Sequence, residues 1–231
     1  MTASNITALL ALHRKEYYPV VAFNAATDHL MSFDFSAKNL ALTDEVITNV
    51  DALSNYVQQQ MAVSNSKFGI GGYNEERVLY QRSKLFDGSE ARNVHLGIDI
   101  WGESGTPVYA PLGGMIHSVA FNDHDGDYGA TLILQHQLDT IVFHTLYGHI
   151  SLADIEKYHE GMYLSRGQKI AHFGQLHENG NWPPHLHFQV IVDMELKLGD
   201  YPGVCRKSEK LKYLANCPDP DLILNMQQYI G

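Results

Sequence analysis

Asn93-Val94-His95-Leu96-Gly97-Ile98-Asp99-Ile100 alternates between polar or small residues and aliphatic ones. Side chains in a strand have a period of two. His95, Gly97 and Asp99 are therefore expected on one face, and Val94, Leu96, Ile98 and Ile100 on the other, where they can enter a core. Gly97 is expected to leave open space in which the His95 imidazole and the Asp99 carboxylate converge on one ion.

A second stretch, His185-Leu186-His187-Phe188-Gln189-Val190, has the same logic. His185 and His187 point one way, while Leu186, Phe188 and Val190 point the other. Pro183 and Pro184 hold the approach extended. A third, Leu146-Tyr147-Gly148-His149-Ile150, ends an apolar run with a histidine beside a glycine. Four histidines and an aspartate are thus offered together. Two histidines and one aspartate make a complete catalytic zinc set with one position left for water, and two histidines remain to move protons. A cupin also uses His-x-His, but it needs a glutamate three or four residues after the second histidine, and Glu195 lies too far along.

Outward from these motifs, the chain from Asn93 reads as short alternating runs between turns: Val108–Ala110, Met115–Phe121, Thr131–His136, Ile141–Tyr147, Lys169–Phe173 and Leu186–Val192. That spacing predicts an antiparallel, mainly β core. Ser151 is expected to cap a short helix reaching Tyr158. Residues 1–90 read as an α+β N-terminal extension packed on the core. It has a helix over Asn5–Lys15, a strand run at Pro19–Phe23, a second helix capped by Asp51, and a turn at Gly69–Tyr73. Residues 91–195 form the β core, and 196–231, with Pro202, Pro218 and Pro220, a tail that wraps it.

Composition sets limits on function. Sixteen Lys+Arg against 26 Asp+Glu leave a formal charge of −10, which argues against a nucleic-acid backbone as partner. A hydrophobic fraction of 45% suffices for a real core. No apolar run is long enough for a transmembrane segment, and no signal-peptide pattern opens the chain. The reading is cytoplasmic, with the cell envelope as the alternative for a trimmed chain. Cys205 and Cys217 are spaced so as to permit a disulfide without indicating one. Thirteen histidines are the unusual count. Beyond those in the motifs, His117, His124, His136, His144, His159, His172 and His177 carry no metal pattern.

Taken together, His95-Leu96-Gly97-Ile98-Asp99, Gly105-Thr106-Pro107-Val108-Tyr109-Ala110-Pro111, Asp127-Tyr128-Gly129, Leu146-Tyr147-Gly148-His149-Ile150, Gly167-Gln168-Lys169-Ile170 and Pro184-His185-Leu186-His187-Phe188 resemble the M23 family of zinc metallopeptidases, the lysostaphin and LytM type. The resemblance implies a barrel-sandwich-like antiparallel β-sheet core and endopeptidase action on peptidoglycan cross-links or stem peptides. It makes His95, Asp99 and His187 the Zn2+ ligands, and His149 and His185 the catalytic histidines that serve a zinc-bound water. Tyr128 and Tyr147 are weaker candidates for lining the groove. The family's glycine-rich turn before the last motif is replaced here by a bulkier loop with Glu178, Asn179 and Trp182, which is expected to reshape the groove. Gly71–Arg77 and Asp200–Cys205 extend the likeness to a subgroup found fused to kinase-like and aminotransferase-like domains. The expected partner is a peptide or peptidoglycan substrate. Hydrolysis of a small peptide or metabolite amide, or a non-catalytic binding role on the same fold, are the alternatives.

Overall fold

The structure is a computed structural model that describes residues 3–82 and 90–231. Twelve strands are seen among the described residues: β1 (Leu30–Phe33), β2 (Phe68–Gly71), β3 (Arg92–His95), β4 (Ile98–Trp101), β5 (Pro107–Tyr109), β6 (Gly114–Asn122), β7 (Gly129–Leu138), β8 (Ile141–Ile150), β9 (Tyr163–Leu164), β10 (Lys169–His172), β11 (His185–Ile191) and β12 (Val204–Arg206). Eight of them form one sheet in the order β1-β2-β4-β11-β8-β7-β6-β9, antiparallel except for the β1–β2 pair. Two two-stranded sheets, β10–β5 and β12–β3, accompany it. The fold is mainly β with a large antiparallel sheet, as the alternating runs predict. No helix among the described residues is long and apolar enough to cross a membrane.

The large sheet buries its apolar face as the period-two reading requires. Ile98, Ile100, Leu186, Phe188 and Val190 join Leu132, Leu134 and Phe143 in the principal core. Full burial of each such side chain contributes about 1.5–3 kcal/mol. Val94 and Leu96 instead join a second cluster with Tyr201, Cys205 and Cys217 of the C-terminal segment. Both cysteines are free and buried. A third cluster packs Phe33, Phe35, Leu53 and Val57 of the N-terminal segment against Trp101 and Trp182.

Several local expectations need correction. The glycine cluster at 69–73 is not simply a turn. Gly69, Ile70 and Gly71 lie in β2, paired between β1 and β4. A side chain on Gly69 would overlap the Phe33 ring, and one on Gly71 would meet Arg77 Nη2 at 2.7 Å. These glycines serve close packing, which overrides their poor strand propensity. Pro19–Phe23 is not a strand. Val20 and Val21 are buried, and Val20 contributes only its carbonyl, which accepts from Tyr109 N. Helix α1 spans Ala3–Leu12, slightly earlier than expected. After α2 (Asp44–Thr48), helix α3 (Val50–Val63) is capped by Asn49, whose Oδ1 accepts from the Asp51 and Ala52 amides, so Asp51 sits in the first turn. Ser151 precedes α4 (Leu152–Ile155) without capping it. Glu178 takes that role, accepting from Leu152 N at 2.8 Å and from the Ser151 hydroxyl at 3.1 Å.

Candidate active site

β11 lies between β4 and β8, and register places His187 opposite Asp99 on one side and Gly148 on the other. His185 stands opposite Trp101. β3 ends at His95 and β4 begins at Ile98, so the chain changes sheets between His95 and Asp99. The two side chains still meet, with His95 Nε2 3.2 Å from Asp99 Oδ1. The space beside Gly97 is not open. His187 fills it, and a Cβ on Gly97 would lie 2.5 Å from His187 Cε1 and 2.8 Å from the Phe188 carbonyl oxygen.

His95, Asp99 and His187 each present a ligand-type atom to a common point, with all three atoms within 4.8 Å of one another and all three residues buried. His187 Nδ1 is 3.0 Å from Asp99 Oδ1 and 3.0 Å from His95 Nε2. Hydrogen bonds on the far side of each ring decide what these atoms carry. His95 Nδ1 donates to the Gly72 carbonyl at 2.8 Å. His187 Nε2 donates to Gln189 Oε1 at 2.9 Å, and Gln189 Nε2 donates to the Pro202 carbonyl at 3.2 Å, which fixes the amide orientation. In the neutral tautomers both inner nitrogens therefore hold lone pairs. Burial, with a further push from the Arg77 charge, lowers the His95 pKa to about 4, so the ring is neutral at pH 7. Burial alone would raise Asp99, but the charge of the Arg77 guanidinium bound to it outweighs that and holds the carboxyl well below the usual range. Three buried acceptors facing each other would repel one another unless a proton or a metal ion lies between them. Two imidazoles and one carboxylate suit a divalent ion. These residues fit a metal.

His149 and His185 stand beside this cluster without joining it. Their rings lie 4.2 Å apart, and that of His149 is 6.3 Å from that of His187. Each donates its Nδ1–H to a backbone carbonyl, His149 to Asn179 at 2.8 Å and His185 to Pro183 at 2.7 Å, leaving Nε2 as the basic atom. Burial lowers the pKa of His185 to about 4 and that of His149 well below its ordinary value, so both are neutral bases at pH 7. His149 has φ +62°, a left-handed conformation uncommon outside glycine, that turns the ring at the end of the β8 motif. Trp101 stacks on His185 at 4.0 Å and 14°.

A cavity with about 130 Å³ open to the centre of a water molecule adjoins the cluster, and Asp99, His149, His185 and His187 line it. Its walls include Trp101, Trp182 and Tyr128. The loop before β11 lines this region: Trp182 enters the wall and the Asn179 carbonyl anchors His149. Glu178 is occupied with α4 instead. Tyr128 sits by the site, its ring 5.1 Å from that of His187 and its hydroxyl donating to the Tyr201 carbonyl at 3.2 Å. Tyr147 does not; it is fully buried in the core against Phe188. His177 is exposed, and His172 pairs with Asp154 at 2.8 Å.

Three contributors are absent from the motif reading. Arg77 is one, bound to Asp99. The Gly72 carbonyl is another, and no side-chain pattern announces it. Gln189 is the third, and a sequence signal for it exists, since it continues the His185–His187 face at the same period.

The model of peptidase family M23 matches residues 93–197. A Haemophilus influenzae protein described as an uncharacterized metalloprotease is 30% identical over 136 residues, covering 56% of this chain and 26% of the relative. The chain thus spans about a quarter of the length of the curated relative it matches. Among solved structures, a zinc containing peptidase from Vibrio cholerae is 32% identical over 44% of this chain and 28% of its own, with a TM-score of 0.33. The catalytic domain of lysostaphin from Staphylococcus simulans is 23% identical over 55% of this chain and 86% of its own, with a TM-score of 0.37.

Proposed function

We propose, since residues 93–197 match the model of peptidase family M23, that this chain is a zinc-dependent metalloendopeptidase acting on peptide bonds of peptidoglycan cross-links or stem peptides. The observation that carries the reading is the convergence of His95 Nε2, His187 Nδ1 and Asp99 Oδ1, three lone-pair donors 3.0–3.2 Å apart. These three residues would hold the ion. When bound, zinc supplies a Lewis acid for the scissile carbonyl and lowers the pKa of a water toward about 7.

The chain's own groups supply the rest. His185 Nε2 accepts the proton lost by the attacking water, because its Nδ1–H is committed to Pro183. His185, then an imidazolium, returns that proton to the leaving amine and favours the oxyanion, and His149, held by Asn179, shares that edge of the cavity as the second imidazole. Trp101, stacked face to face, and Trp182, edge-on, pack against the His185 ring and fix its plane.

One observation favours a second reading, hydrolysis of a short peptide or metabolite amide. Leu79 and Tyr80 on one flank, and Pro202, Gly203 and Val204 on another, wall the cavity with residues outside the family's span. A long polymer needs a through-groove, whereas a chain end fits a walled pocket.

The test is mass spectrometry of defined muropeptides and short glycine- or D-alanine-containing peptides after incubation with zinc-loaded protein, with and without chelator. Chelator-sensitive cleavage of muropeptides supports the first reading, and cleavage of short peptides alone supports the second. Absence of any cleavage by folded, metal-replete protein refutes both.

A further inference from the structure

Arg77 lies in the N-terminal segment, outside residues 93–197, and it is fully buried beside the candidate metal cluster. Its guanidinium is spent on defined partners. Nε donates to Glu75 Oε2 at 2.8 Å. Nη1 donates to Asp99 Oδ2 and to the Tyr80 hydroxyl. Nη2 reaches the Gly72 carbonyl at 3.3 Å, the same oxygen that receives His95 Nδ1–H. Gly71 makes room for this fork, since a Cβ there would lie 2.7 Å from Nη2 and 3.1 Å from Trp101 Nε1. Backbone bonds lock the segment to the metal-bearing strand: Asn74 N to His95 O, His95 N to Glu75 O, and Arg77 N to Asn93 O.

The consequence falls on Asp99. Of its two oxygens, Oδ1 faces His95 and His187, and Oδ2 is bound by Arg77. A carboxylate with one oxygen tied to a guanidinium presents the other to a metal more readily, because the bound oxygen is held in the guanidinium plane and its charge is partly neutralised. We propose that Arg77 is a positioning residue of the metal centre, which makes Asp99 a one-oxygen ligand and thereby keeps a coordination position open for substrate. This inference rests on the metal-site reading above and adds to it a requirement from outside the family's span. Glu75 is the counter-charge that keeps Arg77 in place, since its other oxygen accepts from Phe35 N at 3.0 Å. Lysine is no substitute, because a point ammonium cannot hold two carboxylates in a planar fork.

The test is the visible spectrum of the full chain loaded with Co2+, for the parent protein, R77M, R77K and D99A. Four-coordinate Co2+ has strong d–d bands that weaken when a fifth ligand binds. R77M frees Oδ2, and its bands are expected to weaken as Asp99 becomes bidentate, with kcat falling about 10–100-fold and KM little changed. R77K keeps the buried charge, and so the fold, and is expected to shift the same bands in the same direction. If R77M does not fold, R77K decides. A folded Arg77 variant whose bands superimpose on the parent's overturns the inference. If the parent itself binds no Co2+, or D99A binds it as the parent does, the metal-site reading fails instead, and this inference fails with it.

Discussion

Replacing Gly97 by alanine is the sharpest test of how the metal site is built. The new methyl would lie 2.5 Å from His187 Cε1, 2.6 Å from Nε2 and 2.8 Å from the Phe188 carbonyl oxygen. Ordinary contacts begin near 3.4 Å, so each neighbour is about 0.6–0.9 Å too close. The carbonyl cannot yield, because Phe188 is in the β11–β4 ladder and its side chain is in the main core. The imidazole must move, and it is held from behind by Gln189. Overpacking of this kind costs about 1–3 kcal/mol in the metal-free protein. Displacing a ligand ring by most of an ångström is expected to weaken metal binding about 100-fold, the upper end of the scale seen when groups that merely orient a ligand are disturbed. At a fixed, saturating metal concentration for the parent, that loss removes a further stabilisation of up to about 2.7 kcal/mol. The assay is urea unfolding of parent and G97A, each with chelator and with excess Zn2+. The gap between the two proteins should widen when zinc is present. An equal gap under both conditions would mean that His187 does not hold the ion, and this account of the site would fall.

Three further outcomes rest on the same geometry. H95A, D99A and H187A should each bind less than one metal ion per chain by elemental analysis, whereas H185A should keep the metal and lose activity by about 10²–10⁴-fold; loss of metal in H185A would reverse the division of roles. N179A removes side-chain bonds to Gly174 O, Trp182 O and Trp182 N that shape the loop holding His149, so it should destabilise by about 1–3 kcal/mol and lower kcat with metal affinity unchanged, and calorimetric metal titration separates the two effects. His136 is buried between the Gly113 carbonyl and Thr145, with His144 the titratable neighbour, and burial lowers its pKa to about 4. Its folded pKa is below the unfolded value near 6.5, so its stabilising effect is complete above pH 6.5 and is lost as pH falls toward 4. The loss is about 3 kcal/mol over that range, and H136Q should show a flatter stability-versus-pH curve than the parent between pH 7 and 5; parallel curves would sink the assignment.

Legibility in the sequence follows the range of the interaction. Strand alternation at 93–100 and 185–190 is local, so the faces of His185, His187 and the aliphatic residues between them can be read from residue order alone. Where a local preference misleads, a distant contact overrides it. Gly69 and Gly71 signal a turn in isolation, but the Phe33 ring and the Arg77 fork need their missing side chains within a strand. Ser151 is a good cap by type, but its hydroxyl turns to Glu178, which lies 26 residues from Leu152 and accepts from that first helical amide. Pro19–Phe23 has strand composition, yet its contact with β5 is the single bond from Tyr109 N to the Val20 carbonyl, among the described residues.

Residue order is enough to set the donor atoms and the faces on which they are displayed. Residue type dictates what can bind an ion, and the two-residue period dictates which side chains point together. Folding in three dimensions is what makes His95 and His187, 92 positions apart, meet at 3.0 Å. It also lets Gly72, Gln189, Asn179 and Pro183 fix four ring orientations, and lets Arg77 claim the second oxygen of Asp99. The physical reason is that a backbone carbonyl has no sequence signature. A buried arginine, read in a sequence, has the same identity as one on the surface; its role is set by which carboxylates the fold brings to it when water is removed.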